Sequence, residues 1–218
     1  MAPSLSLSDF FGTHNVYADV QMRPFDAQGW GGHWALYDRL MDSERPKLVV
    51  EVGVWKGATT LHFAKALRAQ GLGGKILAVD TWIGAIEFWN KRLEGPNDTT
   101  RDLKLDHGFP TVYYTFLSNV VHLHLQDQVI PLPVNSALAA RWLREKAAQA
   151  DLIHIDGAHE YEDVMIDLVG WWPLVKPGGV YASSRAPDAS EARCQSSPPP
   201  LTARACVMAC HAKALRPA

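Results

Sequence analysis

Five short apolar runs, each bounded by a turn and separated by stretches long enough for a helix, constrain this chain more than any other feature of it. Residues 47–52 (KLVVEV) stop at Gly53, residues 75–79 (KILAV) at Asp80, and residues 151–155 (DLIHI) at Asp156. Residues 179–182 (GVYA) follow a Pro-Gly-Gly turn. Residues 128–134 carry Val129, Ile130, Leu132 and Val134, although Pro131 and Pro133 weaken that run as a strand. Short runs that are apolar throughout, rather than alternating, fit parallel strands covered on both faces. The helices between them are also readable. Residues 58–70 place Leu61, Ala64 and Leu67 at helical spacing and end at Gly71, a good C-terminal cap. Residues 161–172 align Met165, Leu168 and Trp171 and stop at Pro173. Residues 34–41 and 109–121 read as two further helices. The expected class is α/β, with a mainly parallel sheet. The polar stretch from Thr81 to Gly108, with Gly95-Pro96 inside it, has the length of a lid or substrate loop.

Chemistry concentrates at the strand ends. Glu51-Val52-Gly53-Val54-Trp55-Lys56-Gly57 closes the first strand and opens a helix. Glycines there allow a tight turn and close approach of a ligand, and the helix amides beyond favour an electron-rich group. Asp80 ends the next strand, where a carboxylate can accept hydrogen bonds from a ribose diol. The spacing is not the G-x-G-x-x-G of pyrophosphate binders, and the Glu51 carboxylate would repel a pyrophosphate. It suits a ligand carrying an ammonium and a sulfonium, as S-adenosylmethionine (SAM) does. A glycine-rich turn with no ligand is the competing reading.

Four segments together, EVGVWKG, AVDTW, HIDGAHEYEDV and LVKPGGV, resemble the class I SAM-dependent methyltransferases. The likeness is greatest to the macrocin and mycinamicin type of sugar O-methyltransferase and its cephalosporin-hydroxylase-like relatives, over about residues 30 to 182. It implies a Rossmann-like, doubly wound, mainly parallel sheet of order 3-2-1-4-5, with two further strands beyond the fifth. The ends of strands one and four then adjoin at the switch point where ligands bind. It also implies SAM as cofactor, with Glu51, Gly53, Trp55, Gly57 and Asp80 around it. Trp82 is expected either to flank the adenine or to sit in the core, and Asn135 and Ser136 to supply polar groups near the adenine.

Asp156 and His159, three residues apart after the fourth strand, can converge on one point. Imidazole is a suitable general base near neutral pH, and a carboxylate suits Mg²⁺. The resemblance assigns Asp156 to the metal and His159 to the base. A helix cap and a polar loop residue are the alternative roles. The relatives follow their fifth strand with an acidic pair, whereas this chain has Ser183-Ser184, so Mg²⁺ is expected to bind only weakly.

The composition changes at that same point. Every Phe, Trp and Tyr lies at or before Tyr181, and the last 34 residues, 185–218, contain no Ile and three consecutive prolines, Pro198–Pro200. Residues 1–184 read as the SAM-binding, methyltransferase-like domain and 185–218 as a low-complexity tail, disordered or aberrant, as after a truncation. A tail of this kind is expected to supply no normal sixth or seventh strand, leaving the fifth as an exposed edge that invites self-association into a homo-oligomer. His122/His124 read as a solvated face, and Cys206-x-x-x-Cys210-His211 has no complete zinc spacing.

A net charge of −2 gives no pull toward nucleic acid or anionic membrane, and no run approaches a membrane span. The start of the chain lacks the basic-then-apolar pattern of a signal peptide, so a cytoplasmic location is expected. The expected activity is transfer of a methyl group to a hydroxyl of a small molecule, such as a sugar or other natural product. The alternatives are a catalytically impaired SAM-binding protein or interaction module and, behind it, an NAD-dependent oxidoreductase.

Overall fold

The computed structural model describes residues 5–28, 34–90, 100–157, 160–183 and 204–207. Two helices, α1 (Leu7–Phe11) and α2 (Trp34–Glu44), precede strand β1 (Leu48–Val52). Then come α3 (Ala58–Gln70), β2 (Lys75–Asp80), α4 (Ile86–Asn90), α5 (Thr100–Leu103), α6 (Val112–His122) and β3 (Val129–Pro133). The chain continues through α7 (Ser136–Glu145), β4 (Ala150–Ile155), α8 (Tyr161–Trp171), a 3₁₀ turn (Trp172–Leu174), β5 (Val175–Ser183) and β6 (Arg204–Val207).

The sheet order is β3-β2-β1-β4-β5-β6 and every pairing is parallel. The α/β class and the 3-2-1-4-5 order therefore hold. Each central strand sends alternate side chains into two cores. Val49, Ile76, Ala78, Val129 and Leu152 face α2, α3 and α6, where Met41, Phe63, Leu67 and Phe116 cover them. Val50, Val52, Leu77, Val79, Ile153 and Ile155 face α7 and α8, where Ala140, Leu143 and Trp171 cover them. This two-sided burial is why the runs are apolar throughout. Pro131 and Pro133 sit in β3, whose only partner among the described residues is β2, so its other side loses no ladder bond to them.

The sequence reading is corrected at the far edge. Arg204–Val207 lies in the segment expected to supply no strand, yet it pairs with β5, Val180 opposite Arg204 and Ser183 opposite Val207. β5 is therefore not the sheet's edge, and the expected self-association through it loses its basis. Aromatic and branched content measures the capacity to build a core. A four-residue ladder asks only for free backbone groups and no proline, and Arg-Ala-Cys-Val meets that. No seventh strand occurs among the described residues. The rest of 185–218 lies outside them, as do Cys194, Cys210 and Ser184.

Candidate active site at the carboxyl ends of β1, β2 and β4

β1 runs into Gly53, whose φ is +86° and whose N–H donates to the Val79 carbonyl at 2.9 Å. A Cβ at Gly53 would lie 2.3 Å from the Asp156 carbonyl oxygen and 2.4 Å from the Gly157 Cα. The glycine is thus required because two strand ends touch backbone to backbone. The Asp156 N–H in turn donates to the Val52 carbonyl at 2.7 Å. The switch point expected from strand order is therefore a closed contact, and it places Asp156 beside the Gly53 loop. Gly57, φ +93°, caps α3, and a Cβ there would meet the Phe116 ring at 2.7 Å.

Asp80 holds this loop from the neighbouring strand. Its Oδ2 accepts from the N–H groups of Val54 and Trp55, both at 2.8 Å, and its Oδ1 accepts from the Trp82 N–H at 2.7 Å. Asp80 therefore shapes the loop as well as facing the site, a role its position alone does not reveal. Three accepted bonds leave acceptor capacity on a carboxylate with about four lone-pair positions. Trp55, at φ +55°, stacks on Phe88 with ring centroids 4.5 Å apart. Trp82 is 2% exposed, stacks on Phe116 and donates its ring N–H to the Trp55 carbonyl at 2.7 Å. Of its two expected roles, the core one matches this placement.

Glu51 is almost fully buried, on the side of the sheet that α2 and α3 cover. Thr60 donates its hydroxyl to Glu51 Oε2. The His154 Nδ1 lies 3.7 Å from Oε1, an ion-pair distance too long for a hydrogen bond. His154 stands opposite Glu51 in the β1–β4 register and shares a 3.1 Å hydrogen bond between its Nε2 and the Tyr37 hydroxyl. Burial pushes the Glu51 carboxyl up, against the pull of His154 and Thr60. A buried carboxylate of this kind supports the loop from beneath. His154 is missing from the sequence reading, although its place inside an otherwise apolar strand marks a buried polar group.

Asn135 caps α7, its Oδ1 accepting from the Leu138 N–H at 2.8 Å. Ser136 donates to Asp167, and the Trp171 ring N–H donates to Ser136 Oγ at 2.8 Å. Both follow β3, whose Pro133 stands opposite Asp80, so they lie on the correct side of the sheet but are engaged in local structure. Asp156 is exposed at the rim. His159 lies outside the described residues. His122 shares a 2.8 Å hydrogen bond with the Arg23 carbonyl on the surface.

The donor set can be tested against the two groups the sequence suggests. The first-turn amides of α3 have no intrahelical carbonyl, and no side chain caps them. With Asp80 and Asp156 on either side, amide donors and carboxylate acceptors converge on one loop, which fits a ligand carrying carboxylate, ammonium and ribose groups. The metal fits poorly: no group of three His, Cys, Asp or Glu side chains that could hold an ion occurs among the described residues. Ser183, opposite Ile155 in the sheet, brings a buried hydroxyl where a second carboxylate would be needed.

A family model described as a methyltransferase domain matches residues 50–183, more than half of the chain. An uncharacterized protein, y4gI of Sinorhizobium fredii, is 25% identical over 176 residues, which is 81% of this chain and 16% of that protein. The chain thus spans about a sixth of that relative's length. Solved structures with similarity include an O-methyltransferase from Bacillus cereus in complex with SAH. It is 16% identical over 80% of this chain and 68% of its own, at a TM-score of 0.47. The O-methyltransferase TomG from Streptomyces achromogenes, in complex with SAM, is 15% identical over 72% of this chain and 56% of its own, at 0.49. On the family match, carried by the segment from β1 to the end of β5, this chain belongs to the methyltransferase domain family.

Proposed function

We propose that this domain binds SAM and transfers its methyl group to a hydroxyl of a small molecule. The observation that carries this reading is the backbone contact of Gly53 with Asp156 and Gly157, which joins the glycine loop, Asp80 and Asp156 into one mouth within a methyltransferase domain. When bound, SAM supplies an electrophilic methyl group. The chain's residues do the rest. The α3 amides receive the carboxylate of the ligand's amino-acid end. The remaining acceptor capacity of Asp80 takes the ribose hydroxyls. Asp156 orients the acceptor at the rim, and His159, three residues on, takes the hydroxyl proton as methyl transfer proceeds. The poor donor set for Mg²⁺ leaves this base as the main means of activating the hydroxyl. A sugar or other hydroxylated natural product is the proposed acceptor class. The domain assignment of residues 1–184 and a cytoplasmic location belong to the same proposal. No described helix is long and apolar enough to cross a membrane.

Calorimetric titration with SAM and SAH tests the cofactor, with NAD as competitor. Saturable 1:1 binding of SAH, undisturbed by NAD, is expected. Displacement by NAD, or no heat with either sulfur ligand, refutes the reading. Labelled SAM with untargeted product detection then tests turnover. Binding without any labelled product, with His159→Ala indistinguishable from wild type, would favour a non-catalytic SAM-binding protein.

A further inference from the structure

Lys56 sits between the two glycines of the cofactor loop, and it is only 2% exposed. Its ammonium reaches three separate stretches of chain. Nζ donates to Asp26 Oδ2 at 2.9 Å and to Gln28 Oε1 at 2.6 Å in the segment before α2, and to Asp102 Oδ1 in α5 at 3.4 Å. Lys104 joins the cluster, 3.4 Å from Asp26 Oδ2. The Lys56 backbone is tied as well. Asn119 in α6 donates its Nδ2 to the Lys56 carbonyl at 2.9 Å and to the Asp26 carbonyl at 2.8 Å, and its Oδ1 accepts from the Asp26 N–H at 3.1 Å. One loop residue therefore binds the segment around Asp26 and the segment around Asp102 to the glycine loop.

Stability alone does not account for such a group. Desolvating an ammonium carries a penalty of several kcal/mol, and a packed apolar side chain of similar volume is often neutral or stabilising in its place. What a cluster of charges around one buried ammonium supplies is geometry. Two cations and two carboxylates with fixed partners admit few alternative arrangements. Asp102 and Lys104 also belong to the long stretch after β2, which has the length of a substrate loop.

We propose that Lys56 is a positioning residue that transmits cofactor occupancy from the glycine loop to residues 23–28 and 100–104, ordering the acceptor side when the cofactor binds. This rests on the SAM reading above. A ligand that fixes the backbone of residues 53–57 fixes the Lys56 stem, and so restrains the Asp26 and Asp102 carboxylates it holds.

Hydrogen exchange on the full chain, with and without SAH, tests this. In wild type, SAH is expected to slow exchange in residues 53–61, and also in 23–28 and 100–104 by at least about fivefold, the lower end of ordinary coupling between sites. Lys56→Met keeps volume and removes charge. It is expected to bind SAH and protect 53–61 while losing the ligand-dependent protection of both distant segments. Asp102→Asn, at a partly exposed position that leaves the core untouched, is expected to lose it in 100–104 and keep it in 23–28. A purely structural role would shift Tm without separating the segments in this way. Undiminished protection of 100–104 in both variants overturns the proposal. So does wild-type binding of SAH that protects 53–61 alone. No SAH binding by wild type overturns the cofactor reading and this inference with it.

Discussion

Replacing Gly53 by alanine tests the contact on which the whole site rests. Two terms add. A non-glycine residue at φ +86° carries left-handed strain of about 1–2 kcal/mol. The new Cβ would stand 2.3 Å from the Asp156 oxygen, 2.4 Å from the Gly157 Cα and 2.5 Å from the Asp156 carbon, and all three are backbone atoms held in or beside a parallel ladder. Relieving that overlap means parting β1 from β4, for which overpacking of about 1–3 kcal/mol is a fair measure. The stiffer unfolded chain offsets about 0.5 kcal/mol. The expected loss is about 3 kcal/mol. Gly71→Ala is the control, since its φ of +64° gives the same strain with no atom within 4 Å of the added Cβ. It should lose about 1 kcal/mol. At a urea slope of about 2 kcal/mol per molar, the two midpoints should differ by about 1 M. SAH affinity should fall in Gly53→Ala and hold in Gly71→Ala. Midpoints within about 0.2 M of each other, at unchanged slope, would refute the claim that backbone contact is what requires this glycine.

Three further outcomes are expected. Asp80→Ala strips acceptors from three loop amides, so stability should fall by about 2–4 kcal/mol and SAM affinity by about 10- to 100-fold; normal affinity in calorimetry would take Asp80 off the ligand. Ser136→Ala leaves buried Asp167 and the Trp171 ring N–H short of partners, with an expected loss of about 1–3 kcal/mol and no change in SAH affinity; a marked affinity loss would place Ser136 on the adenine instead. Burial raises the Asp151 carboxyl, but Lys176 and the N–H groups of Leu48 and Lys47 outweigh it and hold it below the usual range. Its stabilisation is therefore present above about pH 4 and lost as pH falls through the lower folded value, so Asp151→Asn should flatten the acid limb of Tm against pH; parallel curves for variant and wild type would contradict this.

The strands were legible because burial on both faces leaves an unmistakable run, and of the four helices expected from periodicity α3 formed with the expected ends and the other three with shifted ones. α7 escaped that reading, although Ala139, Ala140 and Leu143 share one buried face and Asn135 announced its cap. The positions of Gly53, Gly57, Asp80 and Asp156 at one mouth follow from strand order, which the motifs implied. The directions of their side chains do not. Glu51 alternates into the core because it is an internal strand residue, and only the register with β4 shows that His154 awaits it there. Lys56 reads as a charged loop residue until Asp26, Gln28 and Asp102, 30, 28 and 46 positions away, are seen around it. The strand in the last segment has no sequence mark, since ladders are made by backbone.

The three amides gathered on Asp80 bear on how fast a ligand can arrive. A carboxylate whose charge already rests in peptide dipoles has little water to shed and little reorganisation to undergo. A nucleoside hydroxyl bound there, as proposed above, would join a finished coordination shell. Association at this mouth should accordingly run near the ordinary encounter rate, with little dependence on viscosity beyond diffusion and a weak response to ionic strength, and differences among nucleoside ligands should appear in how long they stay.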